Sequence, residues 1–333
     1  MTPHDEQTLS APQIRRTVVA GAIKRDGWRT ERRLSDDAAR LLAEIRAKLL
    51  KGEARGALDL LRTLRSGQPS SFWQGGRWRL WEETGRALLT QNNAPAAAEA
   101  FTVLHALRPR HVPTLLRLGA ALAAAGEYGR AFHAYYTASE LDPENAEVYY
   151  QLGELYEDRG DLTRARRYLE RATALSPDSG DYWAALGYAL QSAGESARAL
   201  PCYEKAARRL PDDPVIWNAL GLLYAQTGDP EQGIRALRRG LRLRPDDPGI
   251  LLNLSTVYGR DLGEYRRALR YARRLLAVSP ESAGAHHNLG LIHWALGDLE
   301  EAEKFLHKAL ELGPDAPEIW ASYNTFRRFM SKL

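Results

Sequence analysis

Cysteine is almost missing from this chain: Cys202 stands alone in 333 residues. No disulfide can form within the chain, and a reducing, cytoplasmic setting is expected. Long apolar runs are missing too. Nothing approaches the roughly 18 consecutive apolar residues that a membrane-spanning helix needs. The start, Met1–Ser10, is polar and acidic. It has no basic opening followed by an apolar stretch, so a secretory leader is not expected. Lysine is scarce, and arginine carries most of the positive charge. The net charge of +4 is modest beside that of dedicated nucleic-acid binders. Glycine-rich phosphate loops, G-x-S-x-G and H-E-x-x-H are all absent. The expectation is a protein with no cofactor, no metal and no catalytic residues, hence not an enzyme. His286, His287 and His293 invite a metal reading. No cysteine lies near them, and two of the three fall at packing positions identified below.

What is present is a ruler. Pro109, Pro143, Pro177, Pro211, Pro245, Pro280 and Pro314 are spaced by 34 residues, with a single 35 between Pro245 and Pro280. A period of this size signals stacked supersecondary units, each burying surface against its neighbours. With the proline set as position 32, position 4 reads Trp81, Leu115, Tyr149, Trp183, Trp217, Leu251 and His286. Position 7 is leucine in every unit but the first, which has Thr84. Position 8 is glycine except at Ser255, and position 11 is leucine or tyrosine until His293. These positions share one face of a helix.

A stop follows at position 15: Asn92, Gly126, Gly160, Gly194, Gly228, Gly263 one place late, and Gly297. Glycine or asparagine there can take the left-handed conformation that ends a helix. A second amphipathic helix then begins. It is small at position 20 (Ala97, Ala131, Ala165, Ala199, Gly233, Ala268, Ala302) and larger at position 24, with Ala272 breaking that pattern. Small residues at 8 and 20 let two antiparallel helices approach closely, and the larger residues fill the gaps.

These residues resemble the tetratricopeptide repeat, W-x2-L-G-x2-Y followed by A-x3-F, A and P. The resemblance spans residues 78–316 without a gap. It implies an all-α, right-handed superhelical α-solenoid of helix-turn-helix units whose first helices line a concave groove. Seven units are expected: 78–111, 112–145, 146–179, 180–213, 214–247, 248–282 and 283–316. Residues 38–77 form a degenerate unit and spacer, 317–333 a capping helix, and 1–37 a basic arm expected to be poorly ordered alone.

The resemblance also places the groove at positions 2, 5, 6, 9, 12 and 13 of the first helix. In the C-terminal units those positions hold Asn218, Leu222, Leu252, Asn253, Thr256, His287, Asn288, Leu291 and Trp294. Groove asparagines would hold a peptide backbone, because an amide both donates and accepts. Leu291 and Trp294 would be apolar anchors, or Trp294 would pack on a neighbour. The middle groove is acidic: Glu147, Glu154, Glu157, Asp158 and Asp181. It could receive a basic peptide, or the chain's own Arg15–Arg33 segment, or be only a solvated face. The expected function is a scaffold or adaptor that binds a peptide segment of another protein. The alternative is a nucleic-acid-associated or regulatory protein using Arg235, Arg238, Arg239, Arg242 and Arg244, then Arg266, Arg267, Arg270, Arg273 and Arg274, together with the basic arm. The final Ser331-Lys332-Leu333 matches a peroxisomal address, if the host is eukaryotic.

Overall fold

A computed structural model describes residues 35–74 and 76–332. The described residues form helices and turns, with no strand. The chain divides into two compact units, the first ending at Pro109 and the second beginning at Arg110. In the first unit α1 (Asp36–Leu50) pairs with α2 (Ala54–Ser66). A 3-10 turn covers Ser70–Trp73, and α3 (Arg79–Thr90) pairs with α4 (Ala94–Leu107). In the second unit α5 (Val112–Ala124) pairs with α6 (Tyr128–Leu141), α7 (Ala146–Asp158) with α8 (Leu162–Leu175), and α9 (Gly180–Ser192) with α10 (Ser196–Arg209). There follow α11 (Pro214–Gln226) with α12 (Pro230–Leu243), α13 (Pro248–Thr256) with α14 (Tyr265–Val278), and α15 (Ala283–Leu296) with α16 (Leu299–Leu312). The last helix among the described residues is α17 (Pro317–Met330). The segment Arg15–Arg33 and Leu333, named above, lie outside the described residues. Among the described residues no helix is long and apolar enough to cross a membrane.

Each hairpin is closed by the same device. Position 15 is left-handed throughout, with φ of 74° at Gly160, 77° at Gly194 and 56° at Asn92. The amide of the residue after the stop then returns to a carbonyl of the preceding helix. Glu195 N donates to Leu190 O at 2.9 Å, and Asp229 N to Tyr224 O at 2.8 Å. Where the period lengthens to 35, the bond runs instead from Glu264 N to Tyr258 O, also 2.8 Å, spanning one residue more. The inserted residue is absorbed as a π-turn over Val257–Asp261, so the register of α14 is kept. Asp161, Asp229 and Asp247 cap the helices that follow by accepting from Arg164 N, Gln232 N and Ile250 N. Such a cap contributes about 1 kcal/mol.

The glycine at position 8 is explained by what faces it. A Cβ on Gly119 would lie 2.4 Å from the Tyr135 ring, on Gly221 2.3 Å from Leu237, and on Gly290 2.6 Å from Leu306. These are the position 24 side chains of the partner helices. The exception explains itself in the same register: Ser255 replaces glycine in the unit where fully buried Ala272 replaces the large residue. The aromatic at position 4 has a second duty. Trp183, Trp217 and Trp320 donate Nε1 to the carbonyls of Pro177, Pro211 and Pro314 at 2.8, 2.8 and 2.7 Å, and Tyr149 uses its hydroxyl on Pro143 at 2.9 Å. Trp81 is fully buried and its Nε1 has no partner. The spacer that stretches Pro69 to Pro109 over 40 residues leaves it without the proline carbonyl its counterparts use.

Candidate functional site

The first helices of successive pairs in the second unit touch one another, α5 with α7, α7 with α9, α11 with α13 and α13 with α15, more closely than the second helices do. That difference puts the first helices on the inside of the curve.

On α7 this inner face is acidic and hydroxylated. Gln151 Nε2 donates to Glu147 Oε1 at 2.9 Å, and Tyr182 Oη, from α9, donates to Glu147 Oε2 at 2.8 Å. Tyr135 Oη reaches Gln151 Oε1 at 3.0 Å, and Tyr150 donates to Glu154. The Tyr150 and Tyr182 rings stack with centroids 4.9 Å apart. Among the described residues none of Glu147, Glu154, Glu157, Asp158 and Asp181 makes an ion pair. Glu170 of α8 and several carboxylates of the turns do: Glu170 and Glu195 with Arg166 and Arg198, Asp178 with Arg209, and Asp246 with Arg274.

The missing cations register in the protonation equilibria. Burial, then the charges of Glu147, Asp158 and Asp181, push Glu154 up to about 7 against the donated Tyr150 hydrogen bond. Burial, then Glu154 and Asp158, push Glu157 up to about 8. Partial desolvation raises Asp158 as well. A carboxyl whose folded value is raised favours folding while protonated and opposes it once ionised. The second unit is therefore expected to lose stability as pH rises from about 5 to 8, by an amount on the order of 2 kcal/mol. Urea unfolding at pH 5.5 and 8.5 measures this. Glu154→Gln with Glu157→Gln should flatten the dependence, and a parent chain more stable at the higher pH would contradict it.

The other predicted groove residues are placed differently. Asn253 Nδ2 donates to Asn218 Oδ1 at 2.9 Å, and Asn288 Nδ2 reaches Ser255 Oγ and Thr256 Oγ1 at 2.7 and 2.9 Å. These amides tie one first helix to the next. His287 Nε2 meets Ser322 Oγ of α17 at 2.9 Å, and burial holds its imidazole below the usual value. Trp294 packs edge-on against Phe326 and lies 5.7 Å from Phe329, and Leu291 joins the same cluster. The apolar pair expected to be anchors is thus covered by α17. Leu222 and Leu252 stay half-exposed on the inner face. The residues that sequence reading passed over are Tyr150, Tyr188 and Gln191. They sit at positions 5, 9 and 12, a pattern the sequence carried, but only charge was read there.

On the outside, cations lie over the position 4 aromatics: Lys205 over Trp183 at 3.7 Å and Arg239 over Trp217 at 4.2 Å. Arg244 pairs with Asp247, Arg267 with Glu264, and Arg274 bonds the carbonyl of Pro245. His286 Nδ1 is 3.0 Å from Ser282 O, and His293 stacks on Phe305. Among the described residues no cluster of three or more metal-ligating side chains occurs.

Residues 142–322 match the family model described as the cilia and flagella-associated protein 70 C-terminal domain, and residues 119–160 match that of the TPR repeat. The first match covers more than half of the chain, and the chain belongs to this family of tetratricopeptide-repeat proteins. It is an all-α solenoid, in a family that typically serves as a non-catalytic scaffold mediating contact between proteins. Among solved structures it resembles YrrB, a TPR protein with an unusual peptide-binding site: 23% identity over 57% of this chain and 97% of that one, with a TM-score of 0.52. It also resembles the Pseudomonas aeruginosa protein pilF, at 18% identity over 65% and 96% of the two chains and TM-score 0.55. Against the APC/C hetero-tetramer Cut9-Hcn1 the figures are 16%, 86% and 55%, with TM-score 0.56. At these identities the likeness is one of fold.

Proposed function

We propose that this protein is a non-enzymatic scaffold that seats a segment of a partner protein along the inner face of α5, α7, α9, α11 and α13. One observation carries the reading: five carboxylates of that face, on α7 and at Asp181 of α9, have no cationic partner, while Glu170, Asp178 and Glu195, on α8 and in turns, pair with arginine. Five carboxylates gathered on the inner side of two adjacent first helices without a cation leave their charge to a guest. Of the ten outer arginines, Arg239, Arg244, Arg267 and Arg274 are engaged within the fold. A cytoplasmic setting, consistent with the lone buried Cys202, belongs to the same proposal.

Affinity capture with the full chain tests it. Ala184→Gln with Leu222→Gln puts polar bulk at positions 5 and 9 of the inner face, and is expected to release partners that the parent retains. Arg238→Ala with Arg270→Ala, on the outer helices, is expected to keep them. Retention of every partner by the inner-face variant would overturn the assignment.

A further inference from the structure

The inner face over α7 and α9 holds an excess of hydrogen-bond acceptors. Glu154 and Glu157 have no cation, as described above. Gln191, in register with Glu157 one helix further along, has its Oε1 buried with no donor. Tyr203 supplies an independent sign. Its ring passes under Gly187, where a Cβ would lie 2.9 Å away, and only 3% of the residue is exposed. Its counterpart Tyr135 spends its hydroxyl on Gln151. The position equivalent to Gln151 in the unit after Tyr203 is Ala219, whose side chain has no polar atom, so the bond that holds the Tyr135 hydroxyl has no counterpart at Tyr203. The groups that act on it electrostatically are Glu157, Tyr188 and Cys202, the first two being inner-face side chains. A buried polar atom left unmatched, as Gln191 Oε1 is, costs free energy that a donor from a ligand would recover. Here an amide oxygen without a donor and two carboxyls without a cation lie on the inner face of α7 and α9, and the Tyr203 hydroxyl of α10 feels the charge of Glu157. The ligand that satisfies such a set carries several N–H donors, no acceptor, and positive charge.

We propose that this part of the inner face is a subsite for a lysine or arginine side chain of the bound partner segment. Glu154 and Glu157 supply the charge, Gln191 and Tyr203 the neutral acceptors, and Tyr188 an aromatic wall. The inference rests on the segment-binding reading above and sharpens it. Glu147 and Asp181 add negative charge at the start of the two helices, while Glu147 is already held by Gln151 and Tyr182.

The test is fluorescence anisotropy with labelled octa-arginine and octa-lysine, with octa-glutamate as control, on the full chain at 0.1 M salt. The cationic peptides bind the parent and octa-glutamate does not. Glu154→Gln with Glu157→Gln weakens binding at least tenfold, and Tyr203→Phe, which keeps the ring, weakens it several-fold. Glu300→Gln with Glu303→Gln removes the same charge from α16 and changes affinity less than twofold. Affinity rises at least tenfold between pH 6 and 8.5 as the two carboxyls ionise. Equal losses in the α7 and α16 pairs would overturn the subsite, leaving only non-specific charge attraction. If binding survives the α7 pair but is lost in Ala184→Gln with Leu222→Gln, the segment-binding reading stands and the cationic subsite falls. If neither pair alters binding, both fall.

Discussion

Gly233→Val is expected to destabilise the chain by about 3 kcal/mol, the upper part of the range for overpacking a tight interior. Gly233 sits at position 20 of α12, where the helices of this hairpin cross. A Cβ there would lie 2.7 Å from the backbone oxygen of Gly221 and 3.3 Å from the backbone nitrogen of Ala225. Backbone cannot rotate aside as a side chain can, so α11 and α12 would have to separate. Gly221 faces back with equal strictness, its Cβ falling 2.3 Å from Leu237 and 3.0 Å from Gly233 O. Better helix propensity offsets only part of this, under about 1 kcal/mol. The control is Gly129→Ala, in the first turn of α6, where a Cβ would meet no atom within 4 Å. That change should stabilise by up to about 1 kcal/mol. Urea unfolding followed by circular dichroism distinguishes the two. A Gly233→Val chain within about 0.5 kcal/mol of its parent would show that the hairpin is not held by backbone contact.

The same pair shows why so much of the fold was legible. Position 8 and position 20 are small because two backbones meet there, a constraint that each hairpin repeats, so the sequence displays it many times over. The one unit that departs does so twice, at Ser255 and Ala272, and the second departure makes room for the first. The inserted residue before Gly263 was visible as a broken count. Its resolution as a π-turn was not, because spacing alone does not say which hydrogen bonds stretch. The site was legible only in part. The five inner carboxylates followed from register and charge. Tyr203 did not, since its significance depends on Ala219 offering no polar group opposite it, a relation between residues in different hairpins. Leu291 and Trp294 sit at groove positions by count, yet α17 lies against them. No periodicity within a repeat announces what an element after the last repeat will cover.

That covering element gives the second large effect. Phe326→Ala is expected to cost about 3–5 kcal/mol, the usual loss for removing a buried phenyl ring. Phe326 is fully buried among Ala302, Leu306, Leu291 and Trp294. With Ile319 it is one of the two buried side chains of α17. In an array whose units touch only their neighbours, the loss should stay local. Hydrogen exchange read by mass spectrometry should show protection falling across α15, α16 and α17 while α5 to α12 keep theirs. Phe326→Leu, which retains most of the apolar volume, should cost only about 1 kcal/mol. Loosening α17 also frees His287 from Ser322 and uncovers Leu291 and Trp294. The inner face then gains a hydrophobic end that the parent chain keeps closed, and the variant should bind a hydrophobic dye that the parent does not. Uniform loss of protection through the second unit, or none at all, would mean that α17 is not the lock on that end.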